Sequence, residues 1–198
     1  MIYLYHQEVD GVWYAVALEK KKIVATAFSF TEKDVLQHLM KNLPYNMSFQ
    51  AAEKPSWISQ RVLKTLKKIY EGNPVSIRFQ MDTGHLSSYV TEVLKCMMKI
   101  PVGCVATYGA IADVVGGSPR AVGRAAALNP FPLLIPCHRV VKAYGGKKYA
   151  CSVGGYGIGS EVKLRILRRE DKGYRKPLTI KVNNKVLSMH SVSHVKEL

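Results

Sequence analysis

One cysteine of this chain stands in a setting that could make it a nucleophile. Cys137 follows a proline and precedes His138 and Arg139, within the run NPFPLLIPCHRVV at residues 129–141. The thiolate is the reactive form of cysteine, and a neighbouring base or positive charge favours it. Because proline restricts its own backbone and that of the residue before it, we expect a stiff, extended segment with Leu133–Ile135 anchored in the core. The run predicts an activated cysteine on a rigid support.

The Cys-His pair alone leaves two interpretations open. A cysteine is more often a buried structural residue than a reactive one. Adjacent side chains of a strand also point to opposite faces, so a bend or a bridging water must bring Cys137 and His138 together. Only the residues around the pair can favour the interpretation of Cys137 as a reactive cysteine.

Residues 107–128 carry the signals of two short helices joined by a tight turn. Gly116-Gly117 permits a sharp turn, and Ser118 followed by proline is typical of a helix start. The second helix presents Arg120 and Arg124 among small residues, which let a helix approach a duplex closely. The segment predicts a DNA-binding helix-turn-helix, although a purely structural helix pair fits it equally well when it is taken alone.

Positive charge is concentrated in the second half of the chain. The net charge is +15; residues 1–85 hold 11 Lys and Arg against 8 Asp and Glu, whereas residues 86–198 hold 18 against 6. Such a half favours a polyanionic partner, although a merely soluble cationic surface has the same composition. No apolar run approaches the ~20 residues that span a bilayer, and the N-terminus lacks a signal-peptide pattern. We expect no membrane association and a cytoplasmic protein, or a nuclear one if the source is eukaryotic.

Potential metal ligands are scattered in this sequence. The four cysteines form no CxxC pair, and residues 1–85 hold no Cys/His cluster, so neither a metal nor a cofactor is expected. His190 and His194 lie four residues apart, but an exposed tail explains them better than a metal site. Cys96 and Cys104 could form a disulfide in a thermophilic protein, yet free buried thiols are the expected state.

The first half of the chain contains alternating strand and helix signals. Segments rich in β-branched and aromatic residues predict strands at Tyr3–Gln7, Val12–Leu18 and Ile23–Phe30. Helices are predicted to begin at Thr31, which has an acidic residue three positions on, and after Ser56. This half is therefore interpreted as an α/β scaffold without chemistry of its own.

The chain is predicted to divide into three parts. Residues 1–84 form the N-terminal α/β domain, residues 85–175 the helix-turn-helix and reactive-cysteine domain, and residues 176–198 a basic C-terminal extension. Apolar positions between 86 and 98 recur at helical spacing and predict the first helix of the second domain. A hairpin over residues 178–189 is expected in the extension, to which no function is assigned beyond phosphate contact.

Together these motifs resemble the O6-alkylguanine-DNA alkyltransferase family. The strings Asn129-Pro130 and Pro136–Val140 are similar to its active-site signature, which is highly specific. The resemblance covers residues 100–173 strongly and the first domain in outline. Further matching pieces are Ile100–Gly103, Thr107–Gly109, Arg120–Gly123, Gly155–Gly157, Lys163 and Glu170.

The resemblance implies a fold and an activity. The fold is a ribonuclease-H-like α/β domain followed by a winged-helix-like helix-turn-helix domain. The activity is DNA repair by a monomer that binds the minor groove of duplex DNA, flips O6-alkylguanine out of the stack and transfers the alkyl group irreversibly to Cys137. Each molecule would react once, and O4-alkylthymine is a second candidate substrate.

The resemblance also implies roles for individual residues. Cys137 accepts the alkyl group, His138 takes its proton through a water, and Glu170 holds His138 in the right tautomer. Tyr108 crowds the target phosphate and donates a hydrogen bond to the flipped guanine. Asn129 is the hinge that ties the recognition helix to the active-site loop.

The implied DNA contacts and pocket complete the set. Arg120 would enter the gap left by the flipped nucleotide. Backbone carbonyls near Cys137 and Val140 would read the guanine amino group, and Ile158, at a position that is small in the family, would narrow the pocket. The implied DNA-binding residues are Arg120, Ser118, Ala121, Gly123, Arg124 and Tyr108; the implied pocket residues are Pro136, Val140, Tyr156, Gly157 and Ile158.

Three other functions fit parts of the pattern. An alkyltransferase-like protein that only binds the lesion would lack the cysteine. A helix-turn-helix regulator needs no Pro-Cys-His-Arg string and usually needs a dimer interface. A cysteine hydrolase requires an oxyanion hole. The presence of Cys137 in its string favours alkyl transfer.

Overall fold

The computed structural model describes residues 1–44, 47–144, 151–174 and 176–196. It contains two compact units, and the chain passes between them more than once. The first unit comprises Met1–Tyr70, Pro74–Ser87 and Asn129–Leu134; the second comprises Glu71–Asn73, Ser88–Leu128 and Ile135–Leu198. The run that carries Cys137 is thus divided between the two units. The domain boundaries inferred from the sequence stay predictions.

The first unit is built on a four-stranded sheet. β1 (Ile2–Val9), β2 (Val12–Glu19) and β3 (Lys22–Ser29) form an antiparallel meander, and β4 (Phe49–Ala51) pairs parallel with β1. The turn between β1 and β2 uses the predicted Asp10-Gly11 pair, both with positive φ, as a tight hairpin turn requires. The three predicted strands are confirmed to within two residues.

Both helices of this unit begin where the sequence predicts. Thr31 caps α1 (Glu32–Lys41), because its hydroxyl oxygen accepts a hydrogen bond from the backbone N–H of Asp34 at 3.1 Å. Ser56 caps α2 (Trp57–Tyr70) in the same way, accepting from the N–H of Ser59 at 3.1 Å. Apolar residues of α1 pack with those of the sheet to form the core.

The described part of the second unit combines four α-helices with a six-stranded mixed sheet. Its strands lie in the order β10-β7-β6-β5-β9-β8. The helices are α3 (Ser88–Met97), α4 (Tyr108–Val115), α5 (Pro119–Ala127) and α6 (Ser160–Glu170); the strands are β5 (Cys104–Thr107), β6 (Val140–Ala143), β7 (Cys151–Ser152), β8 (Leu178–Val182), β9 (Lys185–Ser191) and β10 (Val195–Lys196).

The C-terminal segment belongs to this sheet. The predicted hairpin forms as β8 and β9, turning at Asn183-Asn184 with positive φ. However, β9 also pairs antiparallel with β5, and Leu187 and Met189 are fully buried. The expectation that His190 and His194 lie in an exposed tail is therefore wrong. The basic composition of the segment concealed the apolar positions by which β9 joins the core.

Two further features bear on function. None of the four cysteines, all of which lie in the described ranges, forms a disulfide, and Cys96 and Cys104 are buried thiols as expected. Within the described ranges, no helix has the length and apolarity needed to cross a membrane.

Candidate active site

The backbone bends sharply at Cys137. The N–H of Cys137 donates to the carbonyl of Ile135 at 2.8 Å, and the N–H of Arg139 donates to the carbonyl of Pro136 at 2.9 Å. Cys137–Arg139 thus form one 3₁₀ turn, and the prediction of extended backbone is wrong at these residues. The proline, at φ −80° and ψ 62°, starts a turn instead. In a 3₁₀ turn successive side chains are about 120° apart, which supplies the bend that the Cys-His pair needs.

The three residues of this turn differ in exposure. Cys137 is partly exposed, whereas His138 and Arg139 are buried. A reactive thiol needs both access for its substrate and a fixed environment. The turn provides both.

Glu170, the last residue of α6, joins the two buried residues of the turn. His138 Nε2 lies 3.1 Å from Glu170 Oε1. Arg139 donates to both carboxylate oxygens, from Nε at 2.9 Å and from Nη2 at 2.8 Å, and its Nη1 donates to the carbonyl of Ile100 at 2.6 Å. The arginine that the sequence offered as a charge beside the thiol therefore neutralises the buried carboxylate.

The electrostatics of this trio fix the state of the imidazole. Burial lowers the pKa of His138, and it outweighs the attraction of Glu170. Burial alone would raise the pKa of Glu170, but attraction to His138 and hydrogen bonds from His138 and Arg139 lower it to about 2. A neutral imidazole that donates from Nε2 to an ionised carboxylate carries its lone pair on Nδ1. That atom is buried and has no hydrogen-bond partner among the described residues, so it can act as a base.

Lys163 is a site residue to which the sequence analysis gave no role. Its Nζ is buried and donates to the carbonyls of Val140 at 2.5 Å and Gly155 at 3.4 Å. Burial lowers its pKa to about 8, opposed by attraction to Cys137. The sequence held a signal for it, since Lys163 and Glu170 occupy the same face of α6 as the apolar core residues of that helix.

The contact with Lys163 also modifies the expected role of Val140. Its carbonyl, predicted to read the guanine amino group, already accepts a hydrogen bond from Lys163. A carbonyl oxygen has a second lone pair, which leaves one acceptor position for a base.

Two tyrosines lie close enough to Cys137 for their ionisation to respond to its charge. Burial, followed by the charge of Cys137, raises the pKa of Tyr108. Burial, followed by the charges of Cys137 and Glu170, raises the pKa of Tyr156 well above its usual range. Both phenols therefore stay protonated at neutral pH and can donate hydrogen bonds. Ile158 is half-buried, and its narrowing of the pocket stays a prediction.

The two helices predicted between residues 107 and 128 are confirmed. Thr107 caps α4, accepting from the N–H of Ala110 at 3.0 Å, so Tyr108 is fixed at the first position of that helix. Gly116 and Gly117, with φ of 88° and 87°, make the turn into α5. A side chain at position 117 would also strike Tyr89, because its Cβ would lie 2.6 Å from the hydroxyl oxygen.

α5 presents its predicted DNA-binding residues at the surface. Ser118 is exposed and caps the helix, accepting from the N–H of Ala121 at 3.2 Å. Arg120 and Arg124 are exposed, whereas Ala121 and Gly123 are half-buried. A Cβ at Gly123 would lie 3.9 Å from the Tyr108 ring, so α5 lies beside that tyrosine.

The segment before Cys137 is held by β3 of the first unit. Thr26 donates its N–H to the carbonyl of Pro130 at 2.8 Å and its hydroxyl to the carbonyl of Pro132 at 2.9 Å. Asn129 Oδ1 accepts from the N–H of Phe131 at 3.0 Å, and its predicted hinge role stays a prediction. Leu133 is buried at φ 70°, a conformation that costs a non-glycine residue about 1–3 kcal/mol and needs such support. Sequence reasoning missed Thr26, which looks like any buried strand residue.

Comparison with known proteins places this geometry in a wider context. Residues 88–172 match the family model described as the DNA-binding domain of 6-O-methylguanine DNA methyltransferase. The methylated-DNA–protein-cysteine methyltransferase of Archaeoglobus fulgidus is 39% identical over 113 residues, which cover 54% of this chain and 71% of that protein. The enzyme of the same name from Methanothermobacter thermautotrophicus is 35% identical over 117 residues, covering 59% of this chain and 63% of that protein. The match to the latter therefore spans less than two thirds of its length.

A solved structure shares the fold. The crystal structure of O6-methylguanine-DNA methyltransferase from Pyrococcus kodakaraensis superposes with a TM-score of 0.63 at 26% identity, covering 86% of this chain and 99% of that one. The combination of α/β architecture and mixed sheets seen here is thus that of a known alkyltransferase structure.

Proposed function

Because the chain belongs to the family of methylated-DNA–protein-cysteine methyltransferases, we propose that it repairs DNA by moving the methyl group of O6-methylguanine onto the sulfur of Cys137. The observation that carries this proposal is the partly exposed Cys137 beside a buried His138–Glu170 pair. A nucleophile, a base and a group that orients the base are the parts that such a transfer needs.

The first step is removal of the thiol proton. Nδ1 of the neutral His138 takes the proton of Cys137 through a bridging water. Glu170 accepts a hydrogen bond from Nε2–H and stabilises the imidazolium that forms, since its carboxylate stays ionised down to a pH of about 2. The positive charge of Lys163 near the sulfur favours the thiolate at a pH below about 8.

The second step is displacement at the alkyl carbon. The sulfur forms a bond to that carbon as the bond between the carbon and O6 breaks, and the electron pair of the broken bond stays on the guanine. A hydrogen-bond donor next to the departing base stabilises this charge, and the protonated Tyr108 fits that role. The guanine anion takes up a proton from Tyr108, and the His138 imidazolium returns the proton taken from Cys137, so that the base, the phenol and the imidazole all end neutral.

The product on the protein is a thioether, which water does not cleave under mild conditions. Each molecule therefore reacts once. Alkyl transfer from O4-alkylthymine would follow the same chemistry, since that base also carries its alkyl group on an exocyclic oxygen.

Access to the lesion requires the base to leave the duplex. We assign duplex binding to α5 in the minor groove, with Arg120 filling the space of the flipped nucleotide. The exposed position of Arg120 in the first turn of α5 supports this assignment. In this proposal the first unit corresponds to the ribonuclease-H-like domain, the second to the winged-helix domain, and the protein acts as a cytoplasmic monomer.

Analysis of the DNA product tests the proposal. A duplex containing one O6-methylguanine is incubated with increasing protein, digested to nucleosides and separated by chromatography. We expect methylated guanosine to be replaced by guanosine in equal amount to the protein added, and no conversion by Cys137→Ser. Conversion by the serine variant, or many conversions per wild-type molecule, would refute transfer to Cys137.

A further inference from the structure

A cleft in the second unit, lined by one side of α6, has no place in the proposed reaction. Its volume is about 1060 Å³, and its other wall is formed by β6, β7 and the glycines at 154 and 155. Among the described residues that line it, four are cationic and one is acidic: Lys142, Arg165, Arg168, Arg169 and Glu161. None of the lining residues belongs to α5.

The arginines of this cleft lie on the face of α6 opposite to the active site. Lys163 and Glu170 point inward and are buried, whereas Arg165, Arg168 and Arg169 are exposed. Spacings of three and four residues bring these like charges together on one face, where they repel one another. The helix dipole favours cations only in the last turn, which accounts for Arg168 and Arg169 but not for Arg165.

The opposite wall adds the fourth positive charge. Lys142 extends from β6 across Gly154, where a Cβ would lie only 3.2 Å from its Cγ. Gly154 also has a positive φ of 71°, so a side chain there would be strained as well as crowded. The glycine gives the lysine stem room along the cleft wall, and Lys142 lines the same cleft as the arginines of α6.

We propose that this cleft binds phosphate groups of nucleic acid, as a contact separate from α5. Guanidinium groups match phosphate oxygens with paired hydrogen bonds, and several of them around an open cleft suit a polyanion better than a small neutral ligand. The choice of DNA as the source of these phosphates rests on the proposed function. DNA bound at either α5 or this cleft stays close to the protein, so the local concentration of DNA at the other site is raised.

Salt-dependent binding to an undamaged duplex tests the proposal. The variant Arg165→Gln/Arg168→Gln removes two charges from the cleft, and Lys64→Gln/Lys68→Gln removes two exposed charges from α2 as a matched control. Each lost phosphate contact lowers the slope of log K against log salt by about 0.9. We therefore expect the slope for the cleft variant to be smaller by about 1.8. The ratio of wild-type affinity to variant affinity should then fall about tenfold between 50 and 200 mM salt. Circular dichroism confirms that both variants fold.

The outcomes separate this inference from the repair reaction. An unchanged slope in the cleft variant, or an equal loss in the α2 control, would overturn the proposal. Calorimetric titration with inorganic tripolyphosphate tests whether the cleft binds a small phosphate compound instead of DNA. Its binding to wild type but not to the cleft variant, with the duplex slope unchanged, would also overturn the assignment to DNA. Undamaged DNA is used throughout, so the result does not depend on methyl transfer.

Discussion

Glu170 holds two different side chains with one buried carboxylate. Oε1 interacts with both His138 and Arg139, and Oε2 accepts a second hydrogen bond from Arg139. Arg139 balances the charge of the carboxylate, which lets Glu170 stay ionised while it orients the imidazole. The same carboxylate therefore holds the turn and, in the proposed reaction, also supports the reactivity of its cysteine.

Glu170→Gln is expected to impair both properties. Loss of the carboxylate leaves the buried Arg139 charge without a counterion, which should reduce the free energy of unfolding by about 3–5 kcal/mol. Loss of the orienting acceptor should slow transfer from the free base O6-methylguanine about 100-fold. Urea unfolding and single-turnover kinetics measure the two effects. Glu161→Gln, on the exposed side of the same helix, is the control and should change the unfolding free energy by no more than about 0.5 kcal/mol.

Arg120 is expected to affect repair of duplex DNA but not the reactivity of the thiol. Arg120→Ala should slow methyl transfer from a duplex, because unstacking of the base loses a compensating contact. Transfer from free O6-methylguanine base should keep its wild-type rate. Arg124→Ala, on the same helix, should weaken binding to damaged and undamaged duplexes alike. If Arg120→Ala slowed methyl transfer from the duplex and from the free base equally, Arg120 would have no role in base flipping.

Among individual residues, the sequence identified those whose types form a motif. Cys137, His138 and Glu170 could be proposed because the resemblance supplies their spacing, and the structure brings His138 and Glu170 together. Thr26 could not be assigned, because its importance comes from a hydrogen bond to a backbone carbonyl that is distant in sequence. The helical pattern placed Lys163 on the inward face of α6, but its contact with the carbonyl of Val140 could not be predicted.

Among the elements, β9 connects the C-terminal segment to the candidate site. It pairs with β5, the strand that leads directly into Tyr108 at the start of α4. The Lys185 ammonium donates to the carbonyl of Asp113 in the last turn of α4 at 3.0 Å. The hairpin therefore supports both the strand and the helix that position Tyr108.

Two substitutions in β9 test this support. Met189 is fully buried, and Met189→Ala should reduce the free energy of unfolding by about 2–5 kcal/mol through the cavity it leaves. Val186 lies in the same strand at 56% exposure, and Val186→Ala should have an effect within about 0.5 kcal/mol. Equal effects in urea unfolding would show that the strand does not contribute to the core.

The sequence predicted the local elements better than their pairing. Caps, turns and periodicity are encoded within a few residues, which is why α1, α2, α5 and the β8–β9 hairpin were predicted. The pairing of β9 with β5 joins Ser191 to Cys104, and no local pattern encodes such a contact. The turn at Cys137 was missed because proline fits both an extended strand and a tight turn.

For the molecule as a whole, the ionisation of Glu170 links stability to pH. Its pKa is about 2 in the folded chain against an ordinary value of 4.5, so its contribution is present above pH 4.5 and is lost as the pH falls toward 2. The difference in unfolding free energy between wild type and Glu170→Gln should therefore shrink by up to about 3 kcal/mol over this range. Urea titrations at several acidic pH values measure it, and a constant difference would show that Glu170 is not held ionised.

The division of the chain into two units also concerns the site. Asn129–Leu134 belongs to the first unit and Ile135 onward to the second, so the chain leaves one unit shortly before it reaches Cys137. The hydrogen bonds of Thr26 hold the first part of this run, and the 3₁₀ turn with its buried trio holds the second. The sulfur of Cys137 thus follows a run whose two parts are each held within their own unit.

Peptide mapping of the reacted protein shows which atom of the chain receives the methyl group. The protein is incubated with excess duplex containing O6-methylguanine, digested and analysed by tandem mass spectrometry. We expect a single S-methylcysteine per chain, at Cys137, with Cys96, Cys104 and Cys151 unmodified because they are buried. Methylation at another residue, or an unmodified Cys137 after the DNA has been repaired, would contradict transfer to Cys137.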